Sequence, residues 1–473
     1  AQVVRQGRRR WGRLSIERQA WSVVEGSSMW AALGALLLVA LAPLVLLLLP
    51  KRSAGGRKRL RVAFVHPDLG IGGAERLVVD AAVALQEAGH EVCVYTARHE
   101  PGHCFKETRD GTLQVVVYGD FLPRRVLGRF YAACAYLRMC WVSLRIFLSS
   151  FTSPYDVLVV DQVSICLPIL LLARPCGVIF YCHYPDYLLT SRASLLKRLY
   201  RAPLDFLEEQ TTGLADLVFV NSNFTAGVFA EAFPSLHRRG LTPEVLYPAL
   251  NLQEQDKNAA KAKGNLEALG AGELLLLSIN RFERKKNVGL AVRALAAMPE
   301  AARSRARLVL AGGYDALLPE NVEHAAELES LAEELGVAGR VVQMRSVSAE
   351  VLATLLQRAA VMLYTPDREH FGIVPVEAMY ARVPVVAVNS GGPLESIAEG
   401  ETGFLRPPEP KAWAEAAQRL LEDEGLRQRM GEAGRQRVEE RFSLAAFGRT
   451  LDAAVRRLAA GGGGGPAEAG KDK

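Results

Sequence analysis

The chain has 473 residues, half of them hydrophobic, which is too long for one ordinary core and predicts two domains with additions. Its formal charge of +6 is concentrated at the amino end. Residues 1–61 carry 12 basic and two acidic residues, whereas the remainder carries 45 basic and 49 acidic residues. The globular part is therefore not basic, and no nucleic-acid partner is expected.

A long uncharged segment lies between these basic residues, at positions 29–49 within an amino-terminal region of 1–60. About 20 apolar residues are enough to span a bilayer as a helix. The segment is long for a cleaved signal peptide, and no convincing small-x-small cleavage site precedes residue 51. The sequence therefore predicts a signal-anchor helix. The acid-free basic stretch that follows it favours a cytosolic position for the large domain.

Cysteine usage agrees with a cytosolic position. All seven cysteines fall between Cys93 and Cys182, their number is odd, and no Cys-x-x-Cys occurs. This pattern predicts neither a disulfide framework nor a zinc site. The sequon that begins at Asn223 would be used only if the domain faced the lumen.

Short apolar runs rich in branched residues alternate with stretches of helical composition, as in a series of βαβ units. The runs lie at 62–66, 92–96, 157–161, 178–182, 217–220, 274–279, 308–311, 341–344, 361–364 and 385–388.

This alternation predicts an α/β protein with two Rossmann-like, doubly wound domains that face each other across a cleft. The expected boundaries are 61–250 for the first domain and 273–458 for the second. A polar linker is expected at 251–272 and a disordered glycine-rich tail at 459–473.

Residues 126–151 are rich in aromatic and aliphatic side chains, with arginines at intervals. Two interpretations stay open for this segment. It is either an ordinary core helix of the first domain or a basic, apolar helix that rests on a membrane surface.

Two carboxylates bracket a loop in residues 369–377, which read EHFGIVPVE. The loop follows an apolar run, and Pro375 is suited to the first turn of a helix. We therefore expect Glu369 in the loop and Glu377 in the first helical turn. Free N–H groups of that turn bind anions, and the carboxylates can accept sugar hydroxyls. This combination favours a nucleotide-sugar as the ligand.

A basic group lies upstream, where the run 274–277 ends and SINRFERKKN follows. Ligands of open α/β sheets bind at the carboxyl ends of strands. Arg281 and Lys286 can supply fixed positive charge to a diphosphate at that edge.

With these motifs in place, residues 61–458 resemble the retaining GT-B glycosyltransferases that carry the Glu-x7-Glu signature. Four further motifs resemble, within that family, the mannosyltransferases of early dolichol-linked oligosaccharide assembly. They read HPDLGIGGAER from His66, FYCHYPD from Phe180, LKRLYRAP from Leu196 and NSGGPLES from Asn389.

The resemblance implies a reaction. Mannose from GDP-mannose would be added to Man(1)GlcNAc(2)-diphosphodolichol, first by an α-1,3 and then by an α-1,6 linkage, with retention at the anomeric carbon. The expected partners are this donor, the dolichol-diphosphate-linked oligosaccharide, the membrane and other early mannosyltransferases. No metal or other cofactor is expected.

The resemblance also implies roles for individual residues. Arg281 and Lys286 would neutralise the departing diphosphate, Glu369 would hold the donor mannose and Glu377 the ribose. His183 would contact a sugar. The remaining expected donor contacts are backbone groups at Gly72, Gly73, Phe371, Gly372, Ile373 and Val374.

Two alternatives stay open at this point. One is another retaining GT-B transferase that uses a UDP-sugar or a different lipid acceptor. The other is a non-catalytic membrane scaffold, which would not need to keep the four charged site residues.

Overall fold

A computed structural model describes residues 52–126, 130–190, 194–262 and 272–461 of the chain. The expected anchor at 29–49, the later part of the expected linker and the tail beyond 461 lie outside these described residues.

The first sheet consists of seven parallel strands in the order β3-β2-β1-β4-β5-β6-β7. Its central strands are buried along their whole length, which explains their continuous apolar runs. The strands are β1 (Arg61–His66), β2 (Glu91–Thr96), β3 (Gln114–Val117), β4 (Val157–Asp161), β5 (Gly177–Cys182), β6 (Leu217–Val220) and β7 (Glu244–Val245).

The second sheet has six parallel strands in the order β10-β9-β8-β11-β12-β13. Its strand order reverses direction between β8 and β11, as that of the first sheet does between β1 and β4, so each sheet is doubly wound. The strands are β8 (Leu274–Ile279), β9 (Ala306–Gly312), β10 (Val341–Arg345), β11 (Ala359–Tyr364), β12 (Val385–Val388) and β13 (Gly403–Arg406).

Helices cover both faces of each sheet. They are α1 (Gly73–Glu87), α2 (Tyr131–Ser150), α3 (Leu167–Leu171), α4 (Asp186–Leu189), α5 (Leu195–Thr212), α6 (Asn223–Ala232), α7 (Pro234–Arg238), α8 (Leu252–Lys261), α9 (Gly289–Ala297), α10 (Glu300–Arg303), α11 (Pro319–Glu334), α12 (Ala349–Arg358), α13 (Ile373–Tyr380), α14 (Pro393–Ser396), α15 (Pro410–Glu422), α16 (Glu424–Arg441) and α17 (Leu444–Ala459). Short 3₁₀ turns occupy Lys106–Thr108, Ser164–Cys166, Arg284–Lys286 and Ala338–Arg340.

The structure contains all ten strands that the sequence predicts, within about two residues at each end. The three strands that the pattern misses, β3, β7 and β13, each lie at the edge of a sheet. Edge strands pack against one neighbour only. They therefore do not need a long apolar run.

The last helix, α17, packs in a different domain from the one expected, since the expected second domain extended to residue 458. Phe447, Leu451 and Val455 of α17 are buried in the core of the first domain, not of the second. The chain thus crosses back after α16, because α17 presents an apolar stripe at helical spacing that covers α1 and β5. The expected linker is also partly ordered, since α8 packs against α12.

Helix α2 combines features of both open interpretations. Met139, Val142 and Ile146 are fully buried in the first domain, whereas Trp141 and Leu148 are exposed on another face. Within the described ranges, it is the one helix that is long and apolar enough to cross a membrane.

The seven cysteines are all free thiols, and six are buried. These six pack as small hydrophobic residues of the interior.

Candidate functional site

The carboxyl ends of both sheets border a large cavity between the domains, with a volume of about 1150 Å³. Its wall includes Gly73, His183, Glu369, Gly372 and Glu377 from the predicted site. Parallel sheets bring residues that are distant in sequence to such an edge. The cavity is large enough for a nucleotide-sugar together with part of an acceptor.

The two predicted charged groups of the second domain meet directly. Lys286 Nζ lies 2.5 Å from Glu369 Oε2, although 83 residues separate them in the sequence. The side chain of Lys286 is mostly buried, and the Thr365 hydroxyl donates a hydrogen bond to its backbone carbonyl. A charge-assisted hydrogen bond therefore holds the loop before α13 against the 3₁₀ turn that carries Lys286.

The helix after the loop begins earlier than the sequence indicated. Gly372 has φ of +78° and ends the loop, so α13 starts at Ile373 and Pro375 is its third residue. A side chain at position 372 would also collide with the Tyr364 hydroxyl, 2.6 Å from an added Cβ. As a result, Glu377 lies one turn inside the helix and not in its first turn.

Glu377 remains a wall residue of the cavity from this position. Burial of its carboxylate raises the pKa of Glu377 to about 7. The group is thus poised between its neutral and ionised forms near neutral pH.

The loop of Glu369 is held from behind by the glycine pair of the motif at 389–396. Gly392 N donates to Glu369 O at 2.8 Å. A Cβ at Gly392 would lie 2.1 Å from the carbonyl oxygen of Phe371, so only glycine fits this contact. Phe371 itself turns its ring into the core, against Tyr247 and Phe442.

The predicted glycines of the first domain differ in their surroundings. Gly73 begins α1 and borders the cavity, with open space where a side chain would be. Gly72 precedes it in extended backbone, and its Cβ position is occupied by the carboxylate of Glu75. Gly73, but not Gly72, therefore leaves room at the start of α1 for a ligand to approach the backbone.

His183 belongs to a buried charge network that the sequence did not reveal. Its Nε2 lies 2.9 Å from Asp161 Oδ1, and the other oxygen of Asp161 lies 2.7 Å from His66 Nδ1. His66 Nε2 in turn faces Glu75 at 3.9 Å. These contacts connect the ends of β1 and β4 to the cavity wall.

The network shifts the ionisation of its members. Burial disfavours both charged forms, but the two histidines outweigh it and hold the pKa of Asp161 down to about 2. For the same reason Asp161 and Glu75 raise the pKa of His66 to about 9. Asp161 is thus ionised at neutral pH, with His66 as a charged partner.

Two contacts join the domains beside the cavity. The His370 ring stacks on that of Tyr184, with centroids 3.9 Å apart. Glu395 accepts hydrogen bonds from the backbone N–H groups of Asn223 and Phe224 at the start of α6, at 2.8 and 3.0 Å. A carboxylate at a helix N-terminus is electrostatically favourable, so this contact stabilises the relative position of the domains.

The structure brings together most, but not all, of the predicted residues. Arg281 is largely exposed and paired with Glu283 at 2.7 Å. The predicted residues that do not border the cavity are Gly72, Arg281, Lys286 and Val374, although Lys286 contacts the wall residue Glu369. Asp161 and Glu395 were missed. Asp161 ends a buried strand, which is a signal that sequence reasoning could have used, whereas Glu395 is defined only by an interdomain contact.

Comparisons with known proteins support this geometry. The family described as Glycosyl transferases group 1 matches residues 265–437, and Glycosyltransferase Family 4 matches residues 71–254. These two matches correspond closely to the second and first sheets.

Curated relatives extend over most of the chain. It is 49% identical over 424 residues to "Alpha-1,3/1,6-mannosyltransferase ALG2" of Rhizomucor pusillus, with 85% of this chain and 92% of that protein covered. The protein of the same name in Homo sapiens is 49% identical over 405 residues, with 84% and 96% covered. That of Saccharomyces cerevisiae is 39% identical, with 84% of each chain covered.

Solved structures show the fold at lower identity. Sucrose-phosphate synthase from Thermosynechococcus elongatus superposes with a TM-score of 0.63 at 22% identity, covering 85% of this chain and 99% of that one. Anabaena Alr3699/HepE, in complex with UDP and glucose, gives 0.61 at 20% identity, covering 84% and 99%. With its two doubly wound domains and these relatives, the chain has the GT-B fold and belongs to the family of α-1,3/1,6-mannosyltransferases.

Proposed function

We propose that this mannosyltransferase takes mannose from GDP-mannose and adds it to Man(1)GlcNAc(2)-diphosphodolichol, by an α-1,3 and then an α-1,6 linkage, with retention. The observation that carries the proposal is the pairing of Lys286 with Glu369 directly before α13, with Glu377 one turn further along the same cavity. A cation and two carboxylates at a helix N-terminus match a diphosphate flanked by two sets of hydroxyls.

The carboxylates would divide the donor between them. Glu377 would accept the ribose hydroxyls and Glu369 those of the mannose, while backbone N–H groups at Phe371, Gly372, Ile373 and Val374 contact sugar and phosphate. The first N–H groups of a helix have no intrahelical partner, which makes the start of α13 suited to this role.

The basic residues would stabilise charge on the leaving diphosphate. Lys286 is held in place by Glu369, whereas exposed Arg281 would exchange its contact with Glu283 for the phosphate. Because these two side chains supply positive charge themselves, we propose that the reaction needs no metal or other cofactor. Across the described parts of the chain, no group of three His, Cys, Asp or Glu residues could hold a metal ion.

We propose an acceptor side in the first domain, close to the membrane. Exposed apolar side chains on α2, α4 and α5 support this, among them Leu137, Leu148, Leu189 and Phe206. With an anchor at 29–49, they would keep the catalytic domains on the cytosolic surface of the endoplasmic reticulum, beside other early mannosyltransferases.

The test is an assay of the purified full chain with labelled GDP-mannose and a synthetic Man(1)GlcNAc(2)-diphosphate-lipid. Addition of two mannoses in sequence is expected. Transfer only from a UDP-sugar would contradict the donor, and absence of transfer from every donor by folded protein would favour a scaffold.

The cytosolic orientation has a separate test. The sequon at Asn223 should remain unglycosylated when the full chain is expressed in cells, because the domain does not enter the lumen. A shift in gel mobility after removal of N-glycans, absent in Asn223→Gln, would contradict the proposed orientation.

A further inference from the structure

The motif LKRLYRAP, which begins at Leu196, forms the first half of α5, and three of its side chains border the cavity: Lys197, Tyr200 and Arg201. Their spacing of three and four residues places them on one face of the helix. The proposed donor contacts do not use this face. It lies wholly within the first domain, where the acceptor is expected.

Arg201 has a structural part in this face. It is buried and bonded to Asp186 at 2.7 Å and to Asp205 at 2.8 Å. Tyr200 accepts the backbone N–H of Ala133, which joins α5 to the start of α2. Both residues therefore fix the position of α5 beside the cavity.

Lys197 differs from the other basic residues of the wall. Arg76 is paired with Asp80 and Glu107, as Arg201 is with its two aspartates. Among the lysines and arginines of the wall, Lys197 alone makes no ion pair with a described residue. It thus presents an uncompensated positive charge to the cavity.

The first turn of α5 adds to that charge. It places Lys197 at the cavity and contains no acidic residue, although the positive end of the helix dipole favours acids there. A cation at the positive end of a helix is locally unfavourable unless an anion approaches it. The turn is therefore matched to an anionic ligand.

The same end of the cavity has an apolar rim. Phe130, Tyr131 and Leu189 both border the cavity and are exposed outside it. Leu195, Leu196 and Leu199 extend this surface along α5, each at least 75% exposed. Three leucines at this exposure within the first two turns of α5 indicate an apolar partner.

We propose that the diphosphate of the lipid-linked acceptor lies against Lys197, with its polyprenyl chain leaving the cavity over the apolar rim. Such an acceptor has an apolar polyprenyl chain at one end, a charged diphosphate in the middle and an oligosaccharide at the other end. The wall offers the same three chemistries: an apolar rim, the cation Lys197, and His183 with the donor groups. This inference rests on the proposed function, since it requires a lipid-linked acceptor.

The test compares two acceptors that carry the same trisaccharide and the same lipid, one through a diphosphate and the other through a neutral linker. The full chain is assayed in neutral detergent. The measured preference is the ratio of kcat/KM for the diphosphate acceptor to kcat/KM for the neutral acceptor. In Lys197→Ala this ratio should be about tenfold lower than in the wild type, which corresponds to about 1.4 kcal/mol. Lys197→Glu should lower the ratio further, and Lys197→Arg should retain most of the preference.

Arg198→Ala is the matched control, because it removes the same charge from the same turn but does not border the cavity. It should keep the wild-type preference. Equal losses on both acceptors in Lys197→Ala would overturn the inference. So would a loss seen only on vesicles of anionic phospholipid, which would assign Lys197 to membrane headgroups.

Equilibrium binding of the diphosphate-lipid trisaccharide separates this inference from the proposed donor. It gives the same comparison without turnover, and Lys197→Ala should bind about tenfold more weakly. If the protein transfers no mannose but shows this difference, the donor assignment fails and the inference stands. Equal binding by the variant and the wild type overturns the inference even if mannose is transferred.

Discussion

Asp161 Oδ1 lies 2.9 Å from His183 Nε2, so a fully buried carboxylate orients a histidine of the cavity wall. Since Asp161 is ionised, its charge faces the Nε2 side of the His183 ring, and Nδ1 lies on the other side of the ring. His66 occupies the other oxygen of Asp161 and prevents the carboxylate from rotating. The arrangement makes Asp161 a positioning residue for whatever His183 contacts.

We expect Asp161→Asn to lower kcat about ten- to hundredfold, because it removes the carboxylate charge that faces His183 at 2.9 Å, and each tenfold corresponds to about 1.4 kcal/mol. The pH dependence of kcat should also change, since Asp161 raises the pKa of His66 and that effect is lost with its charge. Steady-state kinetics from pH 5.5 to 9 measures both effects.

Asp156→Asn is the control, because Asp156 is equally buried but lies before the other end of β4, where it accepts the N–H of Arg61. It should lower thermal stability and leave the pH profile unchanged. The same pH profile for Asp161→Asn and wild type would contradict the positioning role.

The pair of Lys286 and Glu369 gives a second prediction. Lys286→Ala should reduce kcat/KM at least about a hundredfold, as loss of one group that stabilises transition-state charge generally does. Lys285→Ala should cost less than about threefold, because Lys285 is exposed and its pair with Glu283 is weak. Comparable losses in the two variants would mean that any nearby positive charge has the same effect, and would contradict a specific role of Lys286.

The raised pKa of Glu377 leads us to expect that donor binding depends on pH. With a pKa of about 7, its carboxylate is mostly neutral at pH 6 and ionised at pH 8. An ionised carboxylate accepts ribose hydroxyls better, so the Kd for GDP-mannose should fall about tenfold over this interval, in step with the ionised fraction. Titration calorimetry at several pH values measures it.

Glu377→Gln should bind the donor weakly and without this pH dependence. Glu329→Gln, an exposed substitution of the same kind on α11, should follow the wild type. A pH dependence that persists in Glu377→Gln would assign the titration to another group.

The raised pKa of His66 leads us to expect that the folded protein becomes less stable at alkaline pH. Its pKa is about 9 in the folded protein and about 6.5 in the unfolded chain, so its contribution is complete below pH 6.5 and is lost as pH rises through 9. The difference corresponds to about 3 kcal/mol at most. Urea unfolding at pH 6.5 and 9.5 should show a fall in the free energy of unfolding.

That fall should be smaller in His66→Gln, whose side chain does not titrate, than in wild type. His237→Gln serves as the control because His237 is exposed on α7. If His66→Gln lost as much stability in alkali as wild type, other groups would be responsible.

The contact of Glu395 with the start of α6 predicts a local effect on dynamics. Glu395→Ala removes the acceptor of the Asn223 and Phe224 amides, so their hydrogen exchange should accelerate about tenfold. Exchange measured by mass spectrometry should be unchanged in Glu399→Ala, whose side chain pairs with Arg406 in the second domain. Unchanged exchange in Glu395→Ala would mean that this contact does not hold the domains.

Much of this protein follows from its sequence alone. Buried parallel strands need continuous apolar runs, so β4, β6, β8 and β12 could be located to the residue. The acidic pair at 369–377 and the basic residues after β8 could be assigned to one edge, because carboxyl ends of parallel strands meet there. These features could be predicted because they depend mainly on residues that are close together in the sequence.

Only the tertiary structure decided the rest. The return of α17 to the first domain, the network of His66, Asp161 and His183, and the reach of Glu395 to α6 all depend on contacts between distant segments. An amphipathic helix does not encode which core it covers, and a buried aspartate does not encode its partner. Those choices are made by the packing of the two sheets, which no local pattern contains.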